Sequence, residues 1–380
     1  MAFGKKKVVY DTGVYEGEFS GKLQHGKGTM RWNNGTTYEG NWVYGNRTGK
    51  GKLVYYNGDV YEGDFANNLR SGYGIMRWAN GDVYDGAWLN DQRSGYGKLR
   101  WINGDVYEGN FAANNINGRG KYTWGAGSWK GDVYEGDWKD GNRTGKGKYT
   151  WANGNVYEGD FVNGSYDGKG TMRWNDGCVY EGDWVKDRRR GKGKMTWGPG
   201  TWSGDVYEGD WLDDMRTGHG KYYFARGDVY DGGFLDNSLH GKGTMVWSSG
   251  SRYTGDWKAG KRTGKGQLSR ADGCVYDGDW YEDQVIGKGK YTWKSGEVYE
   301  GDWKNSQRNG KGSLRFTNGD VYDGSWTSDA PTGKGKYTWA NGDVYEGDWK
   351  NGLREGSGMM RYADGSEYIS NWKNDAPTKE

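Results

Sequence analysis

A tyrosine returns from Tyr15 to Tyr368 sixteen times, at thirteen intervals of 23 residues and two of 27. No other feature constrains the fold as strongly. A fixed period of roughly 20 to 50 residues marks a chain that stacks one small supersecondary unit on the next. The two longer intervals hold insertions of one kind, Gly125-Ala-Gly-Ser-Trp-Lys-Gly131 and Gly198-Pro-Gly-Thr-Trp-Ser-Gly204.

Fourteen of the sixteen tyrosines open a Tyr-acid-Gly triplet, and four residues further on stands Trp eleven times and Phe five times. Glycines follow at plus 11 and plus 13 in all fifteen complete units, then Met, Leu or Tyr at plus 15. Position plus 17 is aromatic in fourteen of the fifteen, with Arg270 the exception. Within each segment these residues are an even number apart, so they share one face of a β-strand and leave the charges on the other. Thirteen junctions between units are short turns, seven of them Asn-Gly and three Asp-Gly, which predicts type I′ hairpin turns there. The other connection, as in residues 139–145, reads as a longer hairpin loop containing glycine.

Each unit is thus one β-hairpin. The expected fold is all-β: an elongated solenoid of about sixteen stacked hairpins. They would form one twisted antiparallel sheet of about 32 strands, curved into a half-pipe about 150 Å long. The core must be made of rings, because the chain has 31 Tyr, 23 Trp and 73 Gly but only 11 Leu and 5 Ile. Bare glycine backbone would seat those rings inside the pipe. Outside, Glu and Asp of one strand would face Lys of the next.

The unit Tyr-Glu-Gly-Asp-Trp-(x)6-Gly-Lys-Gly-(x)3-Trp-(x)-Asn-Gly resembles the MORN (membrane occupation and recognition nexus) repeat, from about residue 8 to 374. It divides the chain into an N-terminal half-hairpin or cap at 1–14, fifteen repeats over 15–367 and an incomplete repeat at 368–380, which on the residue pattern is expected to break off before its second strand. The resemblance implies a scaffold like the MORN-only proteins of protist cytoskeletal collars, basal structures and cilia or flagella, with partners among their proteins. The lipid-kinase and methyltransferase regions that accompany MORN repeats elsewhere have no counterpart in this sequence.

No catalytic, cofactor or metal site is expected. His25, His219 and His240 fall in loops or strand starts of different repeats. The carboxylates recur as a ladder, unlike a single acid/base pair. Gly-rich stretches such as 141–147 lack the Gly-Lys-Ser/Thr ending of a phosphate loop. Cys178 and Cys274 stand at equivalent turn positions four repeats apart, too distant for a disulfide. Sequons at Asn34, Asn46, Asn142 and Asn163 come without a secretory signal. With 53 basic and 51 acidic residues, net +2, a nucleic-acid partner is not expected. No run of residues is apolar enough to span a membrane. Two cysteines suit a reducing compartment, so the expected location is cytoplasmic, at the cytoskeleton or a cilium or flagellum.

Two surfaces stand out for binding. Trp138, Tyr149, Trp151, Trp184 and Trp211 would line an aromatic groove for an extended or helical protein segment. Arg47, Arg70, Arg93, Arg143, Arg189, Arg216, Arg262, Arg308 and Arg354, each nine residues after a tyrosine, would form a basic edge. That edge suits anionic phospholipid or an acidic partner. Asp59, Asp82, Asp105, Asp132, Asp205 and Asp228 would line the opposite turns. Unpaired strand edges at the two ends would permit a homodimer. The leading expectation is a non-catalytic protein-binding scaffold; the alternative is a peripheral membrane protein that uses the arginine edge.

Overall fold

The computed structural model describes residues 4–378. The chain forms two compact units, residues 1–188 and 189–380. The first contains sixteen strands, from Lys5–Tyr10 to Val179–Val185, and the second seventeen, from Arg188–Thr196 to Ala376–Pro377. Within each unit every strand pairs antiparallel with the next, an open meander.

The hairpin of Val133–Lys139 and Asn142–Thr150 shows why the repeat is spaced as it is. Tyr134 pairs with Tyr149 and Gly136 with Gly147, and then the register slips so that Asp137 faces Thr144. This bulge absorbs Gly145, whose φ of +56° is open to glycine at little cost. At Gly147 the need is for space, because a Cβ there would collide with the hydroxyl end of the Tyr134 ring. The Tyr134 hydroxyl reaches over that bare backbone and donates to the Asp137 carbonyl at 3.0 Å.

The two turn types are exchanged relative to expectation. At the Asn-Gly junctions only the glycine has positive φ, as at Gly81 (+99°), and its N–H bonds the Trp78 carbonyl three residues back. That is a turn closed by a left-handed glycine, not type I′, which needs positive φ at two successive residues. The consecutive pair lies instead inside the repeat, at Asn67 and Asn68 (φ +49° and +71°) or Ser328 and Asp329 (+44° and +69°). The supposed longer loop is thus the two-residue hairpin turn.

At the ends, Lys5–Tyr10 pairs with Gly13–Ser20 over six residue pairs. The last repeat does not stop before its second strand: Ala376–Pro377 pairs back onto Trp372 and Lys373. Its Asp-Ala-Pro sequence repeats that of residues 329–331, which turns the same way. Residues 1–3 and 379–380 of the expected terminal segments lie outside the described residues. The three histidines sit within strands, Leu23–Trp32, Met215–Tyr223 and Ser238–Val246, and not in loops.

Candidate interaction surfaces

The aromatic face is a ladder of rings. Within each unit a repeat's first tyrosine is wedged edge-on between its own plus-4 ring and that of the following repeat, as Tyr15 is between Phe19 and Trp42 at centroid distances of 5.1 and 5.4 Å. The same T-shaped contact links Tyr299 to Trp303 and Trp326 in the second unit. Such pairs are worth about 0.5–1.5 kcal/mol each beyond their buried area. Where the plus-4 ring is Trp, its indole N–H donates to a glycine carbonyl of the preceding repeat, as Trp138 does to Gly120 at 3.1 Å. Burial pushes the phenols up, Tyr38 and Tyr84 to about 12.

The arginines correct the expected basic edge. All nine guanidiniums turn inward across the repeat boundary and donate to a carbonyl in the next repeat's left-handed turn, as Arg308 does to the Asp329 carbonyl at 2.8 Å. Five of them also pair with an aspartate of that turn at 2.8–3.2 Å, and those five side chains are only 17–20 % exposed. In these five the guanidinium lies 4.2–4.5 Å from the plus-4 indole of the next repeat. In the other four the turn supplies Asn or Gly, the ring is Phe, and the distance grows to 5.4–5.8 Å. Burial holds Arg47 and Arg93 below the usual arginine range. These residues fasten repeat to repeat; they are not a solvated stripe awaiting headgroups.

The aspartates at the opposite turns do the same. Asp132 accepts the Ala152 N–H at 2.8 Å and the Tyr149 hydroxyl at 2.6 Å, both from the following strand and turn. Asp205 and Asp320 are held alike by Tyr222 and Tyr337, and Asp132, Asp205, Asp228 and Asp320 are buried. At Asp59 and Asp82 the residue at plus 15 is Met or Leu, and the carboxylate accepts the backbone N–H and the Asn57 or Asn80 side-chain amide in place of a phenol.

The aromatic groove is corrected as well. Trp138, Tyr149, Trp184 and Trp211 are buried in the ring ladder, where each is covered by its neighbours. Trp151 alone of the five is half-buried, and the row it belongs to, at plus 17, is the part of the aromatic face that solvent reaches. The insertions expose two more rings: Trp129 and Trp202 are each 57 % exposed, on loops whose Trp carbonyl accepts the N–H of the buried Asp132 or Asp205.

The opposite face carries the expected charge ladder. The lysine between the paired glycines reaches the Asp three residues after the next tyrosine, as in Lys50–Asp64 at 2.9 Å and Lys288–Asp302 at 2.5 Å. The same aspartates accept a bulge N–H, as Asp302 does from Lys311 at 2.8 Å. Where Tyr73, Tyr96 or His219 replaces the lysine, the facing residue is Ala87, Asn110 or Gly233. The partners of the arginines were the residues that sequence reasoning missed. The signal was present, since the turn residue facing each arginine is Asn or Asp in eight of the nine cases, with Gly164 the ninth.

Among the described residues no group of His, Cys, Asp and Glu could hold a metal ion, and no helix is long and apolar enough to cross a membrane. Fold and surface together define a tandem β-hairpin repeat protein, a scaffold type of architecture. The model of the MORN repeat matches fifteen consecutive segments between residues 15 and 367, interrupted only at 130–133 and 203–206, and the chain belongs to the MORN repeat family. No curated protein sequence matches it. Among solved structures it is similar to the TCP10c domain of Drosophila melanogaster Sas-4 at 11 % identity over 41 % of this chain and 93 % of that one, TM-score 0.27. The TCP10 domain of Danio rerio CPAP, solved with a STIL peptide, is 14 % identical over 73 % and 100 %, TM-score 0.23. Staphylococcus aureus virginiamycin B lyase is 11 % identical over 75 % and 89 %, TM-score 0.12. Likenesses this low carry no functional argument.

Proposed function

We propose that the chain is a non-catalytic scaffold that holds other proteins within a cytoskeletal, ciliary or flagellar assembly, with residues 15–367 as its binding array. The observation that carries this reading is where the polar groups go. Arg, Asp and Trp side chains that could serve chemistry are used to fasten repeat to repeat, and the first tyrosines to brace their own hairpin. What is left exposed is a repeating display, the charge ladder on one face and the half-buried ring row with Trp151 on the other. A stack of this kind presents evenly spaced side chains to an extended partner. Lipid capture through the arginine row forms no part of this reading, because those guanidiniums are engaged internally. Proximity labelling with the chain fused to a biotin ligase, in ciliated cells extracted with detergent, tests it. The chain should stay with the insoluble cytoskeleton and label its proteins. A chain that extracts fully and labels only soluble or membrane proteins would overturn the proposal.

A further inference from the structure

On the charged face of the first unit the regular ladder is broken at two places, and a single depression of about 890 Å³ joins them. At one end lie Lys5 and Lys7 of the first strand and Lys27 of the third; at the other lie Tyr73 and Ile75 of the seventh. Six lysines and three glutamates line it. Lys50 and Lys52 are neutralised by Asp64 and Glu62. Lys5, Lys7 and Lys27 make no ion pair among the described residues. For Lys27 the cause is a substitution in the repeat: it faces Asn41, where Lys50 faces Asp64. At the far end Tyr73 faces Ala87 where the ladder usually has Lys and Asp, and Tyr73 and Tyr96 are 54 % and 60 % exposed.

We infer that this trough docks an acidic, extended peptide segment of a partner protein, its acidic part over the lysines and an apolar side chain against Tyr73 and Ile75. Seven strands at about 4.8 Å spacing place the two ends roughly 29 Å apart, which an extended segment of about nine residues spans. The segment crosses the strands and does not extend the sheet, since lysines on an edge strand oppose strand addition. The unpaired cations stand on two strands, the first and the third, with Tyr73 and Ile75 well beyond them, an arrangement that follows a chain better than it converges on one phosphate. The inference rests on the scaffold reading, but the two fail separately: proximity labelling reports a scaffold whichever surface it uses, and the binding assay below reports this trough alone.

The test is fluorescence anisotropy on the full chain with a labelled peptide of about nine residues, acidic except for a terminal Leu-Phe. Vesicles containing a phosphoinositide serve as the competing probe. The peptide should bind at low salt, and Lys5→Glu/Lys7→Glu/Lys27→Glu should weaken it roughly tenfold or more. Tyr73→Ser should weaken it about threefold, while Lys265→Glu/Lys288→Glu in the second unit should leave it unchanged. Thermal melting of each variant checks that the fold is intact. Equal loss in the second-unit variant, no loss in the triple variant, or vesicles bound in preference to the peptide would overturn the inference.

Discussion

Neighbouring residues of one strand have opposite fates. In Asn142–Thr150 the glycine at 147 is overlaid by the Tyr134 ring, while Lys148 beside it points to solvent between Glu135 and Glu158. On the aromatic face the buried first tyrosine of a repeat is held by two other rings, as Tyr134 is by Trp138 and Phe161, so a change there propagates across repeat boundaries. On the charged face each contact is a solvent-exposed pair, individually worth little. The difference teaches that this chain stores its stability on one face and its variability on the other.

The sharpest way to break the comparison is to substitute those two neighbours alike. Gly147→Val should cost about 3 kcal/mol by forcing Tyr134 out of its seat, and Lys148→Val should change stability by no more than about 0.5 kcal/mol. Chemical denaturation of the two variants measures both, and equal losses would refute the asymmetry. Next in size is the repeat fastener. Arg308→Ala should lose about 2–3 kcal/mol through its bonds to Asp329 and its stacking on Trp326. Arg308→Lys should recover little, because an ammonium lacks the planar fork.

The faces should also separate by pH. Burial raises the tyrosines, Tyr38 from 10.0 to about 12, so their contribution is fully present below pH 10 and is lost as pH rises towards 12. On the other face burial pushes Asp279 and Asp302 up. The lysines paired with them and the bulge N–H groups outweigh burial and hold both below the usual carboxylate range. Their contribution is present above that range and disappears as pH falls through it. Tyrosinate absorbance should therefore rise together with unfolding on the alkaline side, and the acid transition should be the shallower one. The smallest effect is a repair. Asn41→Asp supplies Lys27 with the carboxylate that Lys50 has, for a gain of about 0.3 kcal/mol that vanishes in high salt. A gain that persists in molar salt would show that the change acts through something other than the ion pair.

Much of this was legible in the residues. Even spacing around Tyr134, Gly136 and Trp138 assigned strands and faces, because side chains alternate along a strand whatever packs on them. The paired glycines announced rings lying over backbone, and Lys facing Asp announced the ladder. Other features were misread. Asn-Gly is a strong type I′ signal, yet the turn that needs two left-handed residues is filled by pairs such as Ser328 and Asp329. Those conformations are held by contacts from the repeat before: the Asp329 N–H donates to the Arg308 carbonyl, and its carboxylate accepts the Arg308 N–H. No local propensity encodes such contacts.

The sequence by itself determined the period, the all-β class and the division of every strand into an aromatic and a charged side, since these follow from spacing, while the family rests on the residues of the repeat that match the MORN model. Only the tertiary structure decided that the arginines and turn aspartates are fasteners and that most of the expected groove is core. Each arginine and turn aspartate stands near or beyond the end of a strand, where alternation no longer dictates direction, whereas the buried groove rings lie on the face that alternation gives them and are covered by rings of neighbouring repeats. Whether such an arginine points to water or to the next repeat depends on a ring and a carbonyl in that next repeat, as with Arg308 on Trp326 and the Asp329 carbonyl.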